Sequence, residues 1–180
     1  YIASTGNIEL NSTNDAGSIY NLVANGNITD NDFDSLVTAQ NLALTTLPGS
    51  GGSIGSSGAP IATEADNLTL NSDADAFIFE SSDVEMQGTQ TVRGTYSLTA
   101  IGDITNAVNP SGDLITADTL ELTSLFGSVG GTLAAPINPI NTNVNNLTVQ
   151  ALDNVLINEQ DAVNIVGYNT GFNYYVTAGG

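Results

Sequence analysis

Leu98 to Thr105 reads L-T-A-I-G-D-I-T and Leu114 to Gly130 reads L-I-T-A-D-T-L-E-L-T-S-L-F-G-S-V-G, and most of the remaining chain is another copy of this stretch. Leu22 to Ile28 matches Leu98 to Ile104 at an offset of 76, and Leu36 to Ser50 matches Leu114 to Ser128 at an offset of 78 with nine of fifteen positions identical. P-I-x-T-x-x-x-N-L-T from Pro60 recurs from Pro139 at an offset of 79, as do Ile78, Glu80, Val84 and Gly88 in Ile157, Glu159, Val163 and Gly167. A long fixed period of this kind is the signature of a repeat architecture. The long repeats cover approximately 22–97 and 98–175, with partial copies at 1–21 and 176–180, inside a single segment spanning 1–180.

A shorter period lies inside the long one. Ile2-x-x-x-Gly6-Asn7-Ile8 returns as Leu22-x-x-x-Gly26-Asn27-Ile28, twenty positions later. The long unit then counts as about four turns of about twenty residues, and the chain as about nine turns, about 43 Å at the usual strand spacing. Within each turn apolar residues alternate with Thr, Ser, Asn and Asp, as in Leu42-x-Leu44, Leu68-x-Leu70 and Leu120-x-Leu122. Period two means strands, and Gly, Asn, Asp, Ser and Pro fill the intervals as turns require. The offsets drift only across Asp30 to Ser35 and Gly51 to Pro60, which places the inserted residues in loops. The pattern predicts an all-β parallel β-helix; an antiparallel sandwich also makes many short strands, but the two nested periods argue against it. The chain opens and closes in mid-pattern, as a window on a longer array would.

Composition narrows the functions. Nineteen Asp and Glu face one basic residue, Arg93, with no Lys, His or Cys, for a formal charge of -18. Such a polyanion repels nucleic acid and anionic membrane, and no apolar run is long enough to span a bilayer. Self-repulsion of this size is tolerated best where salt screens it, which points weakly to an extracellular setting. Without His, Cys or Lys there is no Ser-His-Asp triad, no His- or Cys-ligated zinc and no lysine Schiff base. A carboxylate-only glycosidase needs two acids at a set separation; Glu80 with Asp83 and Glu159 with Asp161 are the pairs to consider. Glu80 and Glu159 occupy equivalent repeat positions, however, and an active site is normally built once, so a structural role is preferred and no catalytic residue is assigned.

The ordered set L-x-A-x-G-D/N-I, then L-x-x-A-x-x-L-x-L, then G-S-I-G or G-S-V-G, then P-I and N-L-T, resembles the repeat region of large secreted bacterial exoproteins of the filamentous haemagglutinin type. Gly26, Asn27 and Ile28 with Gly102, Asp103 and Ile104, and Asn67, Leu68 and Thr69 with Asn146, Leu147 and Thr148, carry the resemblance. It implies a right-handed parallel β-helix exported through a partner pore and used at the cell surface as an adhesin or matrix fibre.

Three further sets of residues invite chemistry. Asp30, Asp32 and Asp34 alternate in one loop, with Asp73 and Asp75 a second cluster. Calcium takes six to eight oxygen ligands, but the glycine and terminal Glu of an EF-hand loop are missing, so solvated loops are preferred over a calcium site. Asn11, Asn27, Asn67 and Asn146 each begin N-x-S/T and are possible glycan acceptors, or else turn and stacking residues. Tyr20, Tyr96 and Tyr174 share one repeat position; at one per four turns they would stand about 19 Å apart on one face, where packing in the core or at its rim is preferred over a lattice of carbohydrate-stacking aromatics. The expectation is a structural and adhesive segment of a long secreted fibre, without catalysis or cofactor. Its partners would be neighbouring repeats, other copies of itself, and host or matrix glycans. The alternative is a subunit of an extracellular filament joined end to end through strand edges.

Overall fold

A computed structural model describes residues 1–30, 35–107, 113–131, 133 and 137–179. The chain is an all-β parallel solenoid, and the described residues contain seventeen strands and no helix. Ile8, Ile28, Ile54, Ala76, Tyr96, Leu120, Leu147 and Ile165 form one column of stacked positions, each paired in parallel with the next. The seven steps measure 20, 26, 22, 20, 24, 27 and 18 residues. The rod therefore has about seven turns of about 22 residues, about 34 Å at the interstrand spacing, where a strict twenty-residue period predicts nine. The difference comes from connections that add residues without adding a strand layer.

The turn beginning at Ala76 shows how sequence makes a coil. Ala76–Glu80, Val84–Met86 and Thr89–Val92 are three short strands, each burying alternate residues. Ser81 to Asp83 form one corner, and Gly88 another, at a φ of 68° that its repeat equivalent Gly167 also adopts, at 66°. A side chain is strained there, which explains why glycine recurs. Stacking these turns lines the interior with Leu, Ile, Val and Ala, while the alternate positions face out with Thr, Ser, Asn and Glu. Leu22, Leu44, Leu70, Leu98 and Leu122 are completely buried.

The long repeat does not contain a whole number of turns. From Ile28, three steps along its column lead through Ile54 and Ala76 to Tyr96. Its repeat equivalent, Ile104, lies beyond Tyr96 in a different column, that of Val84, Val129 and Val155. The 76- to 79-residue unit is thus three turns and part of a fourth, in place of the four implied by a twenty-residue turn. Homologous motifs consequently land on successive sides of the rod.

Candidate functional site

Glu80 and Glu159 are buried, and each stacks on a threonine one turn earlier, Thr63 and Thr142. Glu80 Oε2 accepts from Thr63 Oγ1 at 2.8 Å and from the Ala65 amide at 3.1 Å, while Oε1 accepts from the Ser82 amide and hydroxyl at 3.1 and 2.9 Å. Glu159 repeats the arrangement: Oε2 accepts from Thr142 Oγ1 at 2.7 Å, Val144 N lies 3.3 Å away, and Oε1 accepts from the Gln160 and Asp161 amides. Burial pushes the Glu80 carboxyl above its usual range against the opposing hydrogen bonds. Both carboxylates serve the chain's own backbone at a corner. Asp83, the partner considered for Glu80, instead accepts from the Asp103 amide at 2.8 Å.

That last bond belongs to a staircase. Asp83 Oδ1 receives the amide of Asp103, and Asp103 Oδ1 receives that of Ser128 at 2.6 Å. On another column Asn7 Oδ1 receives the amide of Asn27, Asn27 Oδ1 that of Ser53, and Asp75 Oδ1 that of Thr95 at 2.8 Å. Each side chain thus caps the next turn. A Cβ on Gly102 would collide with Asp83 Oδ1, and one on Gly127 with Asp103 Oδ1, so the Gly-Asp-Ile and Gly-Asn-Ile motifs follow from this stacking.

The acidic residues singled out from the sequence are accordingly spread out. Asp75 is a step of the staircase, and Asp73 Oδ2 accepts from the Gly51 amide at 2.7 Å. That bond, with the Gly49 amide and Arg93, holds the Asp73 carboxyl below its usual range. Asp30 is buried at a strand end, and Asp32 and Asp34 lie outside the described residues. Among the described residues no three carboxylates gather as a metal site would require. Of the four N-x-S/T asparagines, Asn11 is exposed. Asn27 is in the staircase, Asn67 Nδ2 donates to Asn41 Oδ1 at 3.0 Å, and Asn146 Nδ2 reaches Thr119 Oγ1 at 3.4 Å.

The three tyrosines do not share a face. Tyr20 stacks with Leu42 and Leu68, Tyr96 with Ala76 and Leu120, and Tyr174 with Val155. These are three different columns, because the long repeat is not a whole number of turns. All three turn toward the interior, and burial raises each phenol above its usual range. Each hydroxyl meets an amide side chain five or six residues upstream: Asn14 at 3.2 Å, Gln90 at 3.0 Å and Asn169 at 3.1 Å.

One concave surface carries no sequence motif. Two neighbouring hollows, of about 410 and 340 Å³, both have Thr91 and Arg93 in their linings and together mark a groove region along the rod. Its floor is a column of outward positions, Thr45, Asn71, Thr91, Thr116 and Asn143, paired turn by turn. The parallel rank two residues on runs Asp73, Arg93, Asp118 and Asn145. Arg93 Nε lies 3.1 Å from Asp73 Oδ1, and Asn145 Nδ2 donates to Asp118 Oδ1 at 2.9 Å. The outward half of the strand alternation, Thr and Asn between the apolar positions, is the sequence signal for this groove.

Fold and surface together define a β-solenoid with a polar, acidic exterior. No protein-family model matches the chain, and neither curated proteins nor solved structures give a match.

Proposed function

We propose that this chain is a structural and adhesive segment of a long secreted fibre on a bacterial cell surface, of the filamentous haemagglutinin type. The observation that carries the reading is the column from Ile8 to Ile165, which runs through seven turns without interruption. Load along such a rod is shared among rows of parallel backbone hydrogen bonds and an apolar interior that extends the full stack. The acidic exterior keeps neighbouring rods apart. The buried Glu80 and Glu159 fit this role, since each secures a corner of the coil through hydrogen bonds to the turn before.

Immunogold labelling of source cells with antibody to this chain tests the proposal. Labelling along thin projections outside the cell is expected, and labelling confined to the cell interior would overturn it. Sedimentation of the isolated chain separates the alternative: assembly into long polymers on raising concentration would favour a filament of many subunits joined through strand edges.

A further inference from the structure

We propose that the groove centred on Thr91 and Arg93 binds an extended neutral polysaccharide whose chain lies along the rod axis. The inference deepens the adhesive reading and rests on it for biological role, while the binding itself is a property of the groove.

Four observations carry it. The two hollows lie side by side along the stack with Thr91 and Arg93 in the lining of both, so an occupant that reaches both is extended and not compact. The floor presents hydroxyl and amide groups from Thr45, Asn71, Thr91, Thr116 and Asn143 in register. Five positions one strand spacing apart span about 19 Å, and that spacing, about 4.8 Å, is close to the advance per sugar of an extended glycan. A chain of sugars can therefore repeat the same hydrogen bonds on successive turns, each hydroxyl both donating and accepting.

The second rank sets the preference for a neutral chain. Arg93 is the protein's only basic side chain, and it sits beside Asp73 and shares a hollow with Asp118. The groove thus has no surplus positive charge with which to hold a polyanion, and the protein's charge of -18 opposes one. The Arg93 side chain is 66% exposed while that of Asp73 is 4% exposed, and Asp73 Oδ1 is buried with no hydrogen-bond donor aligned on it. Swinging the guanidinium aside uncovers a carboxylate oxygen for a sugar hydroxyl, and leaves the guanidinium donors free for ring and hydroxyl oxygens.

Affinity electrophoresis of the 180-residue chain through gels holding soluble xylan, mixed-linkage β-glucan or alginate tests the idea. Retardation by at least one neutral glycan is expected, with none by alginate. The double variant Thr91→Val and Thr116→Val keeps side-chain shape and should weaken retardation tenfold or more, and Arg93→Gln should weaken it several-fold, while Ser97→Ala on another side leaves it unchanged. Circular dichroism confirms that each variant is folded; where the double variant is not, Arg93→Gln carries the test. No retardation by either neutral glycan, retardation by alginate alone, or equal retardation of wild type and groove variants would each overturn the proposal. A negative result with an intact rod leaves the fibre reading standing, whereas glycan binding by a chain that never labels the cell exterior leaves the groove standing.

Discussion

The Tyr96 hydroxyl donates to Gln90 Oε1 at 3.0 Å, and Nε2 of the same glutamine donates to the Leu68 carbonyl at 2.9 Å. Tyr96 and Gln90 are fully buried, so the pair closes a polar circuit inside the apolar stack. The cost of breaking such a circuit depends on what is left unpaired: a buried acceptor stripped of its donor loses about 1–3 kcal/mol, whereas removing both partners is nearly neutral. Tyr96→Phe should destabilise the rod by about that amount. A Tyr96→Phe, Gln90→Leu double variant removes both partners while the Leu68 carbonyl keeps the Gln87 amide at 2.9 Å, and should recover most of the loss. Urea unfolding of the two single variants and the double measures the coupling, and strict additivity would show that the pair does not act as a unit.

The buried Glu80 makes stability depend on pH in a definite direction. Its folded pKa is raised, by desolvation above all, so the folded state keeps its proton where the unfolded state has released it. The contribution is complete below the ordinary glutamate value of about 4.3 and is lost as pH rises through the folded pKa. Asp73, whose pKa is lowered, acts oppositely, but only as pH falls below the ordinary aspartate value of about 3.9. Glu80→Gln is neutral at every pH. It should cost about 1–3 kcal/mol near pH 4 through lost acceptors, with the gap to wild type narrowing toward pH 7. Melting curves of both proteins from pH 4 to 7 at fixed salt decide it; a gap that widens with pH contradicts the assignment.

Gly102 and Asp83 test the staircase. Gly102→Ala drives a methyl into Asp83 Oδ1 and should destabilise by about 1–3 kcal/mol. Asp83→Asn keeps the Oδ1 acceptor for the Asp103 amide and should stay within about 0.5 kcal/mol of wild type. Asp83→Ala removes the acceptor and should fall between them. Thermal unfolding ranks the three, and equal loss for Asp83→Asn and Asp83→Ala would mean that charge, not the hydrogen bond, matters at this position.

Alternation and repetition make the fold legible in the sequence, because an inward residue at every second position is a local property of strands. Turn length was less readable. The twenty-residue spacing of Ile8 and Ile28 is one step among several, and the next, from Ile28 to Ile54, takes 26. The extra residues lie in connections whose length stacking does not constrain, so counting turns from one spacing placed Tyr20, Tyr96 and Tyr174 on a common side that they do not share. The recurrence of Thr63 with Glu80, and of Thr142 with Glu159, was visible as two separate matches; only the register shows that each pair is one hydrogen-bonded unit. The groove was missed for a related reason. Thr45, Asn71, Thr91, Thr116 and Asn143 are separated by 26, 20, 25 and 27 residues, and no constant period joins them.

Stacking also decides which asparagines a modifying enzyme can reach. N-x-S/T is a necessary signal, but the acceptor amide must enter the enzyme, and an amide held in a ladder cannot do so without opening the coil. Asn27 Oδ1 is bonded to the Ser53 amide at 2.9 Å, and Asn67 and Asn146 donate to the turn before. Asn11 is exposed, on the connection after Ile8–Leu10. A soluble N-glycosyltransferase acting on the folded chain should therefore add one glycan, at Asn11, and Asn11→Gln should abolish it. Intact-mass measurement before and after heating checks this: the unfolded chain should gain modification at the other three sites. Glycan on Asn67 or Asn146 of the folded protein would mean that the ladder opens far more readily than its hydrogen bonds suggest.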